Sequence, residues 1–199
     1  MKNGNIPENK EELRKVFIDY HINYKELEPL DGVEVWQADV TADTNFIGTV
    51  YGVPVILVGS STLADPNAIG CKYHEVAHIK YEPAVPRHVK EINDGLWAHW
   101  GPVAVRYEEQ ADYFACLKGY GKQLRNYLAA SDARYRSYGF KYTGDTLDRI
   151  ARIDHWLESG EWTDNGLERL PTKEEVETAA KAAEEDLTMF YLMIGFHHD

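Results

Sequence analysis

Apolar positions along this chain recur with two different periods, and the changes of period mark out its elements. Residues 8–20 place Leu13, Val16, Phe17 and Tyr20 at helical spacing. Residues 33–40 alternate as a strand does, with Val33, Val35 and Gln37 on one face and Glu34, Trp36 and Ala38 on the other. A hairpin follows over 46–58, turning at Gly52. Its second arm, Val55-Ile56-Leu57-Val58, is apolar without alternation, which predicts a strand covered on both faces. The helical period then returns. Asp65-Pro66 is an N-cap and first-turn pair, and Pro83 closes the segment. Between them Ile69, Tyr73, Val76 and Ala77 form a stripe that can face a core, and Gly70 marks close packing or a late helix start.

Pro102 and Gly119 bracket a second helix. Beyond it the chain is helical. One stripe carries Leu124, Tyr127, Leu128 and Tyr135; another carries Leu147, Ile150, Ala151 and Trp156, opened by Thr143 or Asp145. Gly160 to Gly166 is a break, and Thr172-Lys173-Glu174-Glu175 is a capping box opening a last helix through Ile194. The pattern predicts an α+β fold: a small twisted sheet packed on a helix pair, with additional C-terminal helices. Residues 1–120 form the core and 121–199 a helical extension packed on it as one domain.

The first predicted helix of that pair carries His74-Glu75-Val76-Ala77-His78, an H-E-x-x-H run. Residues i and i+4 share a helix face, so both imidazoles can reach one zinc ion. Glu75 lies about 100° around the helix, where its carboxylate can take a proton from water activated by the metal. Chance alone gives about 0.03 such runs in a chain of this composition, so context must carry the reading. A catalytic zinc site needs a third protein ligand. The second helix offers Glu108-Glu109-Gln110-Ala111-Asp112, in which Glu108 and Asp112 share a face. Glu108 is the expected ligand and Glu109 the alternative one. Asp112 is placed to accept the free N–H of His74 or His78 and so fix the tautomer.

Taken together, H-E-x-x-H followed about thirty residues later by E-x-x-A-D-x-F-A resembles the gluzincin metallopeptidases. The resemblance is nearest to the ImmA/IrrE type, found in phage and mobile-element regulators and in bacterial stress regulators. It covers roughly residues 33–118, including the hairpin ahead of the first helix. It implies a zincin-like fold and one zinc per chain, held by His74, His78 and Glu108, with Glu75 as catalytic base and Asp112 as orienting carboxylate. It also implies that the substrate is a regulatory protein, often a basic DNA-binding repressor. The chain departs from the family at Leu117-Lys118-Gly119-Tyr120-Gly121, and its inter-helix segment carries three prolines and two tryptophans. Those departures bear on the substrate cleft and leave the metal residues untouched.

Composition narrows the remaining classes. The net charge of −12 over 199 residues disfavours direct nucleic-acid binding and suits a basic protein partner. No run of about 18 apolar residues is present to span a membrane. The N-terminal stretch is polar rather than an apolar leader, so the expected location is the cytoplasm. Cys71 and Cys116 are then expected as reduced thiols, Cys71 buried rather than at the metal. In residues 84–101, His88 and His99 are candidate oxyanion donors beside Tyr107, against a plainer reading as a loop anchored by Trp97 and Trp100. The leading expectation is therefore a zinc metalloendopeptidase with Glu75 as general base. The alternatives are a general peptidase and a non-catalytic protein-binding regulator on the same fold.

Overall fold

The computed structural model describes residues 7–39, 47–50, 53–81, 108–137 and 145–163. Helix α1 (Lys10–Asp19) is capped by Asn9, whose side chain accepts from the Glu12 N–H at 3.0 Å. It buries Leu13 and Phe17, while Tyr20 falls just beyond the helix and is 68% exposed. Tyr20 thus leaves the expected stripe, because the chain turns at His21 with positive φ.

Strands β1 (Tyr24–Leu30) and β2 (Val33–Ala38) form an antiparallel pair joined at Asp31 and Gly32, both with positive φ. That turn needs two residues that tolerate the left-handed region, and Asp-Gly supplies them. Strand β1 was not anticipated from periodicity, since Glu26, Glu28 and Pro29 break its pattern. Strands β3 (Ile47–Val50) and β4 (Val53–Val58) make the expected hairpin. β4 also pairs parallel with β2, giving a four-stranded mixed sheet in the order β1-β2-β4-β3.

Both faces of this sheet are covered, which is why β4 is apolar at consecutive positions. Trp36, Ala38, Val53, Val55 and Leu57 pack under Leu13 and Phe17 of α1. On the other face Val33, Val35, Ile56 and Val58 meet Val76, with Ile79 and Phe114 beside them. Short helix α2 (Ser60–Leu63) follows β4, its first N–H received by Asp39 at 2.7 Å. Helix α3 (Ala68–Tyr81) starts two residues later than Pro66, after a turn in which Asp65 accepts from the Asn67 N–H at 2.8 Å.

Helix α4 covers 108–117 within the described residues, and α5 (Gly121–Ser137) and α6 (Asp145–Ser159) complete a helical layer. Cys71, Ala115, Cys116, Leu124 and Ile153 form the core between α3 and this layer. A Cβ on Gly70 would lie 2.7 Å from Leu124 Cα, so the glycine is what lets the backbones of α3 and α5 meet.

The inward face of α6 matches the expected stripe only in part: Trp156 packs against this core. Leu147 is 51% exposed and Ala151 is exposed, whereas Arg152 and Ile153 are buried. The helix is rotated so that Arg149 and Arg152 face carboxylates on α4. Among the described residues no helix is long and apolar enough to cross a membrane. The 84–101 segment, His88, His99, Tyr107, Pro83 and the last helix from Thr172 lie outside the described residues, as does the Tyr135 side chain.

Candidate metal centre

Helix α3 presents His74 and His78 on one face, as i,i+4 spacing requires, and α4 brings Glu108 opposite them. The Nε2 atoms of the two imidazoles are 2.9 Å apart. Glu108 Oε2 stands 3.2 Å from His74 Nε2, and its Oε1 stands 3.3 Å from His78 Nε2. Three ligand atoms on a tetrahedral centre with bonds of about 2.0–2.1 Å are separated by about 3.3–3.4 Å. Each of these contacts, the Glu108 ones through different oxygens, is within a few tenths of an ångström of that, one ligand atom from each residue lies within 4.8 Å of the others, and a donor set of two imidazoles and a carboxylate suits a borderline divalent cation. These three residues fit a metal ion.

The surroundings fix which atoms face the triangle. Asp112 is fully buried, and its Oδ1 lies 2.8 Å from His74 Nδ1. With the Nδ1–H donating there, the His74 Nε2 lone pair is turned toward Glu108 and His78. Asp112 is in turn held by Arg149 of α6, whose Nε donates to Oδ2 and Nη2 to Oδ1, both at 2.8 Å. The third nitrogen, Nη1, reaches Glu108 Oε2 at 2.9 Å. One guanidinium therefore grips both carboxylates.

Electrostatics follow from this packing. Burial pushes His74 down, but the neighbouring Glu108 and Asp112 carboxylates outweigh it and leave the imidazole above its usual range. Burial would raise Glu108, yet His74 and Arg149 hold it well below the ordinary carboxylate range. Asp112 is likewise held down against burial, first by Arg149 and then by His74.

Glu75 is half-buried on α3, one position along from His74, and close enough to Cys71 for its charge to oppose ionisation of that thiol. Burial is the larger cause and keeps the Cys71 thiol far from its reactive form, while burial pushes Cys116 up to about 12. Both cysteines are free, buried and packed in the α3–α5 core. Glu109, the alternative ligand, is buried and turned toward Arg152, whose Nε is 3.5 Å from its Oε1.

The structure thus brings together His74, His78, Glu108 and Asp112. The residue missed from the sequence is Arg149. A fully buried Asp112 calls for a cationic partner, but nothing local says which of the chain's arginines supplies it. No family model matches this chain, and no curated protein or solved structure matches it.

Proposed function

We propose that this protein is a zinc-dependent metalloendopeptidase of the gluzincin type, with a zincin-like arrangement of sheet and helices and Glu75 as general base. The observation that carries the reading is the convergence of His74, His78 and Glu108 from two helices onto one point. The likeness of the two helical stretches to the ImmA/IrrE type supports it, as does the carboxylate behind His74.

His74, His78 and Glu108 would hold a divalent cation, which would supply Lewis acidity toward water and a carbonyl oxygen. The protein does the rest. His74 is held as the Nδ1–H tautomer by Asp112, and Asp112 is held by Arg149. Glu75 accepts the proton of the attacking water and delivers it to the leaving amine. Among the described residues β3 is an edge of the sheet, and it packs against α3. An extended segment of substrate adds alongside β3 by backbone hydrogen bonds, which lays its peptide bond near the histidine pair.

The substrate class that suits a net charge of −12 is a basic regulatory protein, such as a DNA-binding repressor. The test is cleavage of basic repressors by purified protein, with casein as a control for general peptidase action. Wild-type protein cuts a repressor and spares casein. Glu75→Gln keeps one zinc per chain and cuts neither. Cleavage by Glu75→Gln at the wild-type rate overturns the base assignment.

A further inference from the structure

Glu108 presents two unequal oxygens. Oε1 faces His78 Nε2 at 3.3 Å, whereas Oε2 is 3.2 Å from His74 Nε2 and also 2.9 Å from Arg149 Nη1. A carboxylate can bind a divalent cation through one oxygen or through both, and the second mode adds a fifth donor that crowds the position hydrolysis needs for water.

We propose that Arg149 is a positioning residue that restricts Glu108 to ligation through a single oxygen, by holding Oε2 in an ion pair. The inference rests on reading the site as a metal centre. Arg149 is equipped for this because it cannot follow Glu108 if that side chain turns. Its Nε and Nη2 are both anchored on Asp112, which is fully buried, and its own side chain is only 13% exposed. The guanidinium is planar, so fixing two nitrogens fixes the direction of the third. A lysine at this position has one point charge and cannot hold both carboxylates. The ligation mode of a residue on α4 is thereby set from α6, so the helical extension is part of the centre.

Cobalt reports the coordination number, since four-coordinate cobalt absorbs strongly in the visible and five-coordinate cobalt weakly. Wild-type protein loaded with Co2+ gives the strong four-coordinate bands. Asp112→Asn keeps them, because an amide oxygen in the place of Oδ1 still accepts from both His74 Nδ1 and Arg149 Nη2 and so leaves Nη1 on Glu108. Adding Arg149→Met to Asp112→Asn frees Glu108 Oε2 without stranding a buried charge, and the bands weaken to the five-coordinate pattern. Strong, unchanged bands in the folded double variant overturn the proposal.

A second measurement needs no variant. Infrared difference spectra of wild-type protein with and without Zn2+ report the separation of the two carboxylate stretches. A wide separation on loading marks one-oxygen ligation; a narrow one marks two-oxygen ligation and overturns the proposal even if the variants fail to fold. Should wild-type protein bind neither Zn2+ nor Co2+, the metal reading itself falls and takes this inference with it. Metal binding with an unchanged spectrum of the folded double variant sinks the inference alone.

Discussion

Asp112 is the residue on which the proposed centre turns, because it is fully buried and touches both His74 and Arg149. A buried carboxylate survives only with charge and hydrogen bonds around it. Truncating it to alanine leaves Arg149 without its fork, a loss of about 3–5 kcal/mol for a broken buried pair. The His74 ring also loses its orienting acceptor, so zinc affinity of Asp112→Ala is expected to fall roughly 10–100-fold, measured by competition with a chromophoric chelator. Glu108→Ala removes a ligand outright and is expected to abolish stoichiometric zinc. Glu109→Ala, acting on a residue that faces Arg152, keeps the metal. Elemental analysis of the two variants decides between the adjacent glutamates; retention of one zinc by Glu108→Ala would show that the triangle is not the binding site.

At the level of elements, two contacts decide where the helices sit. Gly70 allows α3 to touch the α5 backbone at Leu124, and backbone cannot give way as a side chain can. Gly70→Ala is therefore expected to destabilise by at least about 1–3 kcal/mol despite alanine's better helix propensity, seen as a lowered denaturation midpoint. The rotation of α6 makes an opposite pair of predictions. Ile153 is fully buried, so Ile153→Ala costs about 2–5 kcal/mol, while Leu147, half exposed, costs about 0.5 kcal/mol or less. The reverse order in denaturant titrations would mean that α6 presents the stripe its apolar periodicity suggests, and Arg149 would then point away from Asp112. Apolar periodicity misplaces this face because it counts leucine and not the arginines that face Asp112 and Glu109 on the neighbouring helix.

For the whole molecule, the metal residues couple folding to pH. His74 is raised in the folded, cation-free protein, so its stabilising contribution is full below the unfolded value of about 6.5 and is lost as pH rises through the folded value. A cation must displace that proton, so binding strengthens as pH rises through the same window. At a free zinc level about 100 times Kd the ligand adds about 2.7 kcal/mol, or roughly 5–10 °C in Tm for a chain of this length. The zinc-induced rise in Tm is expected to be larger at about pH 7.5 than at about pH 5.5. Equal shifts at both would place zinc away from His74. Elsewhere Asp31, in the β1–β2 turn, pairs with Lys80 of α3 at 2.8 Å and with Lys118, just after α4, at 3.1 Å, tying the sheet to the ends of both helices of the candidate site. Hydrogen bonds from the two lysines favour its ionised form, so that tie loosens only as acid protonates it below the usual aspartate range.

Much of this is local and so was written in the order of residues. His74 and His78 share a face because a helix repeats every 3.6 residues, and the run Val55-Ile56-Leu57-Val58 declared a doubly covered strand because each side chain needed an apolar neighbour. Glu108 and Asp112 were legible for the same reason, once a second helix was granted. Strand β1 is also legible from Asp31-Gly32, a dipeptide suited to a hairpin turn. The pairing of β2 with β4, the rotation of α6 and the meeting of Arg149 with Asp112 across 37 positions were beyond any such reading. They depend on which distant surfaces find each other. That choice is made by the summed burial and charge of the folded chain, and no short stretch of residues contains it.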